Sequence, residues 1–479
     1  MPDRPTDRSK QAIVILADGA RADVFARMLA GGELPEIQRH VVSRGVHRTA
    51  TSTFTSTTIP AHLPFITGRF AGSADIPGYR WFDRAKQRRS LPLGPWSFRN
   101  YNGFESRWIN DDLLPEAPTI FELAPGSQTV FGTITRGIEK DGKLGGMRRN
   151  TDWFRAHFLH DYVIADESAR RLLCESLKDH APFRFVVMPG IDWNSHYDDP
   201  FGAGAREAYR RVDRTVGEAA RILERTGRYE DTLIAVVSDH GHEPVIEHFD
   251  IGPEIEKQFK VKTAYHSLKG FARDPDVISA VSGNAMAHLY FNRRPSGLSD
   301  WLLDRPAVDI VAERLEGGAI GVSSRRGAAT LRETGETLSY VIAGGDPFGY
   351  GPLPETIDRE EALGLTADTD HPDGLLQLAQ IFRSRRTGDM VVSAAPGFDL
   401  RERFERPEHR SSHGALHAAH MNVPLAISTP LEDGPVRTAD VFSIVLEHLG
   451  IAEPAGVDGR SRTISAGQSD AAPALTPSA

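Results

Sequence analysis

The sequence of 479 residues contains one cysteine, Cys174, and lacks the run of about 18 apolar residues that a membrane-spanning helix needs. A single cysteine excludes a disulfide framework within the chain. The first residues, MPDRPTDRSKQ, are polar and include no apolar segment typical of a secretory signal. These features favour a cytoplasmic protein, and we expect no membrane partner.

The charge is also low for a chain of this length. A formal net charge of −9 gives no indication that the protein binds a nucleic-acid polymer. The length exceeds that of a small domain, and one large core with an inserted subdomain is the organisation we expect. Neither property distinguishes a monomer from an oligomer.

Short apolar runs alternate with segments of helical spacing along most of the chain. The predicted strands are Gln11–Ala17, Val46–Thr51, Thr129–Thr133, Phe183–Met188, Thr232–Val237, Ala287–Phe291, Met390–Ser393 and Val423–Ser428. The predicted helices are Arg21–Ala30, Pro60–Thr67, Asp161–Asp179, Ala203–Glu224, Ala307–Glu316 and Thr438–Leu449. Strands that are apolar throughout are typical of parallel sheets. The alternation predicts an α/β fold with a mostly parallel central sheet and helices on both faces.

The predicted domains are a core and an inserted section. Residues 10–255 and 386–462 form the predicted catalytic core, and 256–385 supply further core elements and an inserted cap. The low-complexity tail, 463–479, is predicted to be disordered. Residues 70–115 are predicted to be a functional loop region, because their aromatic side chains would be costly to leave in solvent. We expect Thr438 to cap the last helix and Gly450 to follow its end.

Side chains that bind metals stand near the ends of several predicted strands. A single aspartate there is usually a turn former, so the inference depends on the whole set. Ligands of open α/β sheets bind beyond the carboxyl ends of the strands. Three carboxylates and three imidazoles are a ligand set for two adjacent ions such as zinc, and manganese or iron fit a similar set. The residues are Asp18, Asp192, His196, Asp239, His240 and His413.

A segment rich in hydroxyl groups, residues 55–58, precedes the predicted helix that begins at Pro60. Such a segment is most often a capping sequence. A hydroxyl group beside a metal ion, however, has a lowered pKa and becomes a nucleophile. The four hydroxyl groups of this segment are not separable by their chemistry alone.

Six short motifs follow one another along the chain. They are D-G-x-R-x-D (18–23), T-x-P-x-H (58–62), T-G (67–68), D-x-x-x-H (192–196), S-D-H-G (238–241) and H-G (413–414). This ordered set resembles the alkaline phosphatase superfamily, and most closely its type I phosphodiesterases and nucleotide pyrophosphatases. The resemblance implies that superfamily's three-layer α/β sandwich.

The resemblance also implies roles for individual residues. Thr58 matches the nucleophile, which attacks phosphorus and forms a phosphothreonine intermediate that is then hydrolysed. Two metal ions, usually zinc, are implied. Asp18, Asp239 and His240, together with Thr58, match the ligands of one ion, and Asp192, His196 and His413 match those of the other. We expect the other nearby histidines to support these ligands or the fold: His62, His242, His248, His417 and His420.

One position departs from the family pattern. Nucleotide pyrophosphatases usually carry an asparagine in the loop after the nucleophile, and Tyr79 matches that place here. Tyr79 could donate a hydrogen bond to a phosphoryl oxygen, Arg80 could neutralise its charge, or Tyr79 could simply pack in the loop. Trp81 and Phe82 either stack on an aromatic leaving group or pack in the core.

The function that these residues imply is metal-dependent hydrolysis of phosphodiester or pyrophosphate bonds in a nucleotide-like or other small phosphorylated substrate. A phosphomonoesterase or phosphonate hydrolase on the same scaffold is the main alternative. A sulfatase is disfavoured, because the threonine at position 58 cannot become formylglycine. A metal-binding protein without catalysis is the remote alternative.

Overall fold

Two β-sheets form the framework of the protein. The computed structural model describes residues 10–84, 97–146, 151–152, 155, 161–265, 275–400 and 408–464. Most of the predicted tail, and Trp96 of the predicted loop region, lie outside the described residues. Within these ranges no helix is long and apolar enough to cross a bilayer.

The first sheet has seven strands. In spatial order they are Val436–Arg437, Val46–Thr51, Asn422–Ile427, Thr232–Val237, Gln11–Ala17, Phe183–Met188 and Gln128–Val130. Strand Gln11–Ala17 pairs in parallel with Phe183–Met188 and Thr232–Val237, whereas Asn422–Ile427 is antiparallel to both of its neighbours. The predicted mostly parallel central sheet is confirmed.

Helices cover this sheet on both faces. Every residue of the strand Gln11–Ala17 is buried, and the strand contacts helix Ala203–Arg225 and helix Asp440–Leu449. Helix Ala203–Arg225 also contacts three other helices, which are Pro35–His40, Tyr162–Ser176 and Gly190–Tyr197. Helix Asp440–Leu449 contacts helix Leu63–Thr67. The other α-helices in the described residues are Ala22–Ala30, Ile109–Asp112, Ile120–Leu123, Ile251–Phe259, Leu298–Leu303, Arg359–Thr366, Gly374–Ile381 and Ala418–Met421.

The second sheet has nine strands and is almost entirely antiparallel. Their spatial order is Thr263–Ala264, Val277–Ser282, Met286–Phe291, Met390–Ala394, Val308–Arg314, Ile320–Ser324, Gly327–Thr334, Thr337–Ala343 and Thr356–Asp358. Only the first two of these strands pair in parallel. Most of section 256–385 therefore belongs to this sheet and its helices, and its division into core and cap stays a prediction.

The predicted helix Ala307–Glu316 is wrong, because this segment is the strand Val308–Arg314. Its pairing with Met390–Ala394 shifts register between Val308 and Ile310, as at a β-bulge. A bulge breaks the alternation of side chains that identifies a strand. The apolar residues at 308, 310, 311 and 312 therefore have a spacing that also suits one face of a helix.

The last helix differs from its prediction at one end only. It begins at Asp440 with Ala439 as its N-cap, so the predicted cap at Thr438 is wrong. The Asp440 carboxylate instead accepts backbone N–H groups of Arg437 and Arg460, both at 3.0 Å. Gly450 follows the helix in a left-handed conformation, as predicted.

The loop region 70–115 contains the two-stranded ribbon Arg80–Phe82 and Phe98–Asn100. Trp81 is fully buried and donates its indole N–H to the Tyr101 hydroxyl at 3.1 Å. Phe82 is also buried, with its ring centroid 5.6 Å from that of Tyr290. Of the two roles considered for Trp81 and Phe82, the structure shows packing in the core.

Two further ribbons complete the described strands. Glu243–Pro244 pairs with Ser411–Ser412, and Glu247–His248 pairs with Phe398–Asp399. The first of these ribbons connects the segment after Asp239 with the segment before His413. It therefore brings together two groups of predicted ligands that are far apart in sequence.

Candidate metal centre

Three aspartates follow neighbouring strands of the first sheet. Leu16 lies opposite Val187 in one adjacent strand and opposite Val237 in the other, so the carboxyl ends of all three strands are level. The Asp18 amide donates to the Met188 carbonyl at 3.1 Å, and the Asp192 amide donates to the Asp18 carbonyl at 3.0 Å. The sheet itself thus holds Asp18 next to Asp192.

A glycine makes this close approach possible. Gly19 has a φ of 73°, and a β-carbon added there would lie 2.9 Å from the Asp192 Cα atom and 2.9 Å from the His242 Cδ2 atom. Any larger residue would push these two side chains away. The Gly19 amide also donates to Asp239 Oδ1 at 3.3 Å. Gly19, the glycine of the first motif, therefore allows Asp192 and His242 to pack closely against the segment that carries Asp18.

The structure separates the four hydroxyl groups that the sequence left equivalent. Thr55, Ser56 and Thr57 are buried, and the Ser56 hydroxyl donates to the Ala415 carbonyl at 2.9 Å. Thr58 is half-buried, and its hydroxyl donates to His240 Nε2 at 3.1 Å. Thr58 is thus the partly exposed hydroxyl of the segment, and it faces a predicted metal ligand.

The backbone around Thr58 is tightly held. The next residue, Ile59, has a φ of 70°, which is strained for a β-branched side chain. Such strain persists where the surrounding structure enforces it, often at functional sites. The buried helix Gly374–Ile381 contributes to this support, because Gln377 accepts the Phe54 amide at 2.9 Å and Gln380 accepts the Gly72 amide at 2.8 Å.

The predicted ligands form two groups. We call Asp18, Asp239 and His240 the carboxylate half. His240 Nε2 lies 3.6 Å from Asp18 Oδ1 and 3.5 Å from Asp239 Oδ2. All three side chains are buried. This half contacts Thr58 through His240.

We call Asp192, His196, His242 and His413 the imidazole half. Asp192 Oδ1 lies 2.8 Å from His242 Nε2, 3.3 Å from His196 Nε2 and 3.9 Å from His413 Nε2. One potential ligand atom from each of the four residues lies within 4.8 Å of the others. All four side chains are buried.

The two halves adjoin each other. The rings of His240 and His413 stack with their centroids 3.7 Å apart and their planes at 12°. Ligand atoms of Asp18, Asp192 and His240 also lie within 4.8 Å of one another. The distances suit two neighbouring ions that share one substrate group.

The charges of the centre fit a bound cation. Asp18 Oδ1 and Asp239 Oδ2 are buried atoms without a hydrogen-bond partner, and such atoms are costly unless an ion satisfies them. Burial, with the nearby carboxylates of Asp239 and Asp192, raises the pKa of Asp18 well above its ordinary value. A divalent cation would stabilise the ionised carboxylates. The residues present therefore fit the metal ions that the resemblance implies.

Histidines compensate the other two carboxylates. Burial alone would raise the pKa of Asp192, but His196 and His242 hold it well below its ordinary value. Burial would likewise raise the pKa of Asp239, yet neighbouring His240 and His62 lower it to about 2. Both carboxylates are thus held in the ionised form that binds metal.

The two predicted substrate-binding residues lie on a segment that contacts the centre indirectly. The Arg80 amide donates to the Ser282 hydroxyl at 3.1 Å, and its guanidinium donates to Asn100 Oδ1 at 3.3 Å. Gly283 follows Ser282 and packs against the centre. A β-carbon added to Gly283 would lie 3.0 Å from His413 Nδ1 and 3.0 Å from the Thr57 Cβ atom. Tyr79 is half-buried, with the Arg80 guanidinium 5.9 Å from its ring centroid.

The structure also brings to the centre two histidines that were expected only to support the ligands or the fold. His242 belongs to the imidazole half, and His62 Nε2 lies 3.2 Å from Asp239 Oδ2. The sequence held a signal for the first of these. That signal is the short spacing, because His242 stands two residues after the predicted ligand His240.

The sequence profile of the type I phosphodiesterase/nucleotide pyrophosphatase family matches residues 12–416, which is most of the chain. The chain belongs to this family. It is therefore a hydrolase of the phosphodiesterase/nucleotide pyrophosphatase type, and a member of the alkaline phosphatase superfamily, as the ordered motifs indicated. No curated protein sequence matches it significantly.

Solved structures of this superfamily share the fold. Phosphonoacetate hydrolase from Sinorhizobium meliloti 1021, in complex with phosphonoformate, is 15% identical with a TM-score of 0.54, covering 92% of this chain and 96% of that one. Murine ectonucleotide pyrophosphatase/phosphodiesterase 5 is 14% identical with a TM-score of 0.57, covering 93% and 96%. An inactive variant of the murine protein in complex with AMP is 13% identical with a TM-score of 0.55, and the match covers 93% of this chain and 96% of that one. At this identity the likeness shows the fold alone.

Proposed function

We propose that the protein hydrolyses phosphodiester or pyrophosphate bonds in small phosphorylated substrates, through a phosphothreonine formed on Thr58. The observation that carries the proposal is the hydrogen bond of 3.1 Å from the Thr58 hydroxyl to His240 Nε2, at the edge of a buried cluster of carboxylates and imidazoles. Family membership supports the class of reaction. It leaves the substrate open.

The residues divide the work of this reaction. Thr58 supplies the nucleophilic oxygen, and the carboxylate half would hold one ion beside its hydroxyl. Asp192, His196 and His413 would hold the second ion. When bound, two divalent ions neutralise the attacking and leaving oxygens of an in-line displacement. Zinc is the ion that we propose, because imidazole and carboxylate ligands suit it.

Replacement of the nucleophile tests this proposal. Thr58→Ala should lower turnover of bis-p-nitrophenyl phosphate by roughly a thousandfold or more, since the covalent route is lost. Thr58→Ser keeps a hydroxyl and should retain a measurable part of the activity. Metal content, measured by mass spectrometry after loading with zinc, should stay at the wild-type value in both variants. Full activity in the alanine variant would exclude Thr58 as the nucleophile.

A phosphomonoesterase or phosphonate hydrolase is the second candidate, and the Tyr79–Arg80 pair favours it. A dianionic substrate carries one more negative charge than a diester, and the Arg80 guanidinium suits that charge. The backbone amide of Arg80 bonds to Ser282, next to the glycine that packs beside His413. We expect Arg80→Gln to reduce activity on p-nitrophenyl phosphate or phosphonoacetate more than on the diester.

The position of Tyr79 is tested by restoring the family's residue. Tyr79→Asn should raise the ratio of diester to monoester turnover by a few fold, with Tyr79→Phe as the matched control that removes only the hydroxyl. Equal ratios in all three proteins would mean that Tyr79 only packs in the loop.

The cytoplasmic location expected from the sequence stays a prediction.

A further inference from the structure

We infer that His242 is a fourth protein ligand of the ion held by Asp192, His196 and His413. The matched family pattern supplies three ligands for this ion, so the assignment adds a residue that the motifs did not. The inference rests on the proposed two-metal site, but it does not depend on which bond is hydrolysed.

The first argument is the position of the ring proton. In three predicted ligands Nδ1 faces a carbonyl oxygen: Gly241 at 3.0 Å from His240, Ser411 at 2.9 Å from His196 and Ser56 at 3.1 Å from His413. A carbonyl only accepts, so Nδ1 carries the proton in each ring. In a neutral ring Nε2 then presents its lone pair, as a metal ligand requires.

His242 has the same arrangement, though its partner is a hydroxyl group. Its Nδ1 lies 3.0 Å from Ser411 Oγ, and that hydroxyl lies 2.7 Å from the Ser195 carbonyl. Because the carbonyl only accepts, the single proton of Ser411 points to Ser195. The hydroxyl must therefore accept from His242, which places the His242 proton on Nδ1 and leaves the lone pair on Nε2.

The second argument is what that lone pair faces. His242 Nε2 lies 2.8 Å from Asp192 Oδ1. In a neutral ring with its proton on Nδ1, this lone pair and the carboxylate oxygen repel each other at this distance, and a cation bound by both atoms would remove the repulsion. The three nitrogens that surround Asp192 Oδ1 are 2.8, 3.3 and 3.9 Å from it, which brackets the roughly 3.4 Å between ligand atoms of a tetrahedral zinc site.

The third argument is that the ring of His242 is held in place from three sides. The Arg21 guanidinium donates to the His242 carbonyl, Ser411 fixes Nδ1, and Gly19 leaves room for Cδ2. Ser411 also accepts from His196 through its carbonyl, so one residue orients two rings. Orientation of this kind is what supporting residues give to metal ligands.

Neighbouring histidines lack this arrangement. His420 Nδ1 accepts the Ala415 amide at 3.0 Å, so in its neutral ring the proton is on Nε2, and Nε2 cannot bind an ion. His417 lies beside it, with its Nε2 atom 3.3 Å from Glu243 Oε2. Proximity of histidines and a carboxylate is therefore not sufficient, and the proton position distinguishes His242 from these residues.

A fourth ligand changes what the ion offers to a substrate. Zinc sites with three protein ligands keep an open position, whereas sites with four are closed in tetrahedral geometry. With His242 as a fourth ligand, this half would offer a substrate oxygen only a fifth position or the place of one of the four ligands.

Metal titration of full-length protein tests the inference. The chelator-stripped wild type is compared with His242→Ala and His242→Gln, and zinc affinity is measured by competition with a chromophoric chelator. Glutamine keeps a side-chain amide that can donate to Asp192 but removes the imidazole. If His242 is a ligand, both variants should bind one of two ions more than ~100-fold more weakly, which exceeds the loss known for residues that only support ligands, and a smaller loss would overturn the inference.

His40→Gln serves as the matched control. His40 is also buried, but it contacts Tyr229 and Glu36 instead of the metal centre. The zinc affinity of the His40→Gln variant should therefore equal that of the wild type. Circular dichroism of each stripped protein reports whether the variants fold. Cobalt absorption spectra should differ between the wild type and His242→Gln, because the ligand set changes.

Two outcomes separate this inference from the proposed function. Wild-type zinc affinity in His242→Gln, with an unchanged cobalt spectrum, would show that His242 only donates to Asp192 and would overturn the inference. Two tightly bound ions without any phosphoesterase activity would overturn the proposed function and leave the inference intact.

Discussion

The two halves of the metal centre use similar side chains in different ways. The carboxylate half has two carboxylates and one imidazole, while the imidazole half has one carboxylate and three imidazoles. Oxygens of Asp18 and Asp239 lack hydrogen-bond partners, whereas Nδ1 of His196, His242 and His413 each has one. One half therefore needs a cation for its charge balance, and the other is preformed by hydrogen bonds.

This difference suits their chemistry. The two carboxylates next to Thr58 would neutralise a divalent ion, which would suit the negative charge of an ionised Thr58 hydroxyl. The single carboxylate and the imidazoles of the other half would leave an ion with a net positive charge, which would favour a phosphoryl oxygen or a leaving group. The sheet places both environments within a few ångströms of each other.

Among the changes that test this comparison, removal of one carboxylate from either half should have the largest effect. Asp239→Asn and Asp192→Asn should each lose one ion and reduce turnover by more than ~100-fold, since even residues that only support metal ligands contribute 10-fold to 100-fold. Mass spectrometry of the purified variants gives the metal content. If either variant loses both ions, the halves act as one unit and the comparison fails.

A smaller effect is expected from crowding the contact between Asp18 and Asp192. Gly19→Ala places a β-carbon 2.9 Å from the Asp192 Cα atom and from the His242 ring, at a φ of 73°. The left-handed conformation alone costs about 1–2 kcal/mol for alanine. We expect a larger loss of stability than this, together with weaker zinc binding.

Gly32→Ala is the matched control for that change. Gly32 has a φ of 72°, and an added β-carbon meets no atom within 4 Å. Chemical denaturation should show the conformational cost alone in Gly32→Ala, with zinc affinity unchanged. Equal effects of the two variants on stability and zinc affinity would mean that Gly19 has no packing role at the centre.

The smallest effect concerns the histidines that we exclude as ligands. His417→Gln should leave metal content unchanged and turnover within about twofold, because His420 Nε2 carries a proton and the pair cannot hold an ion with Glu243. Metal analysis after dialysis is the measurement. Loss of one equivalent of metal would show that Glu243, His417 and His420 form a further site.

The sequence by itself predicted most strands of the first sheet and placed candidate metal ligands at their ends. Runs such as residues 11–17 and 232–237 are apolar at nearly every position, and only a strand buried on both faces explains that pattern. Asp18 and Asp239 follow such runs directly. Local order in the chain therefore predicted where carboxylates would meet, because parallel strands end at the same edge.

Other features were decided only by the tertiary structure. Residues 307–316 read as a helix because a bulge disturbs the strand pattern, and bulges depend on the pairing partner. The T-x-P-x-H motif indicated Thr58, but its partial exposure and its contact with His240, 182 residues away, are features of the fold. His242 becomes a candidate ligand because Ser411, 169 residues later, fixes its proton. Proton positions and exposure arise from contacts between distant segments, and no local pattern in the chain records them.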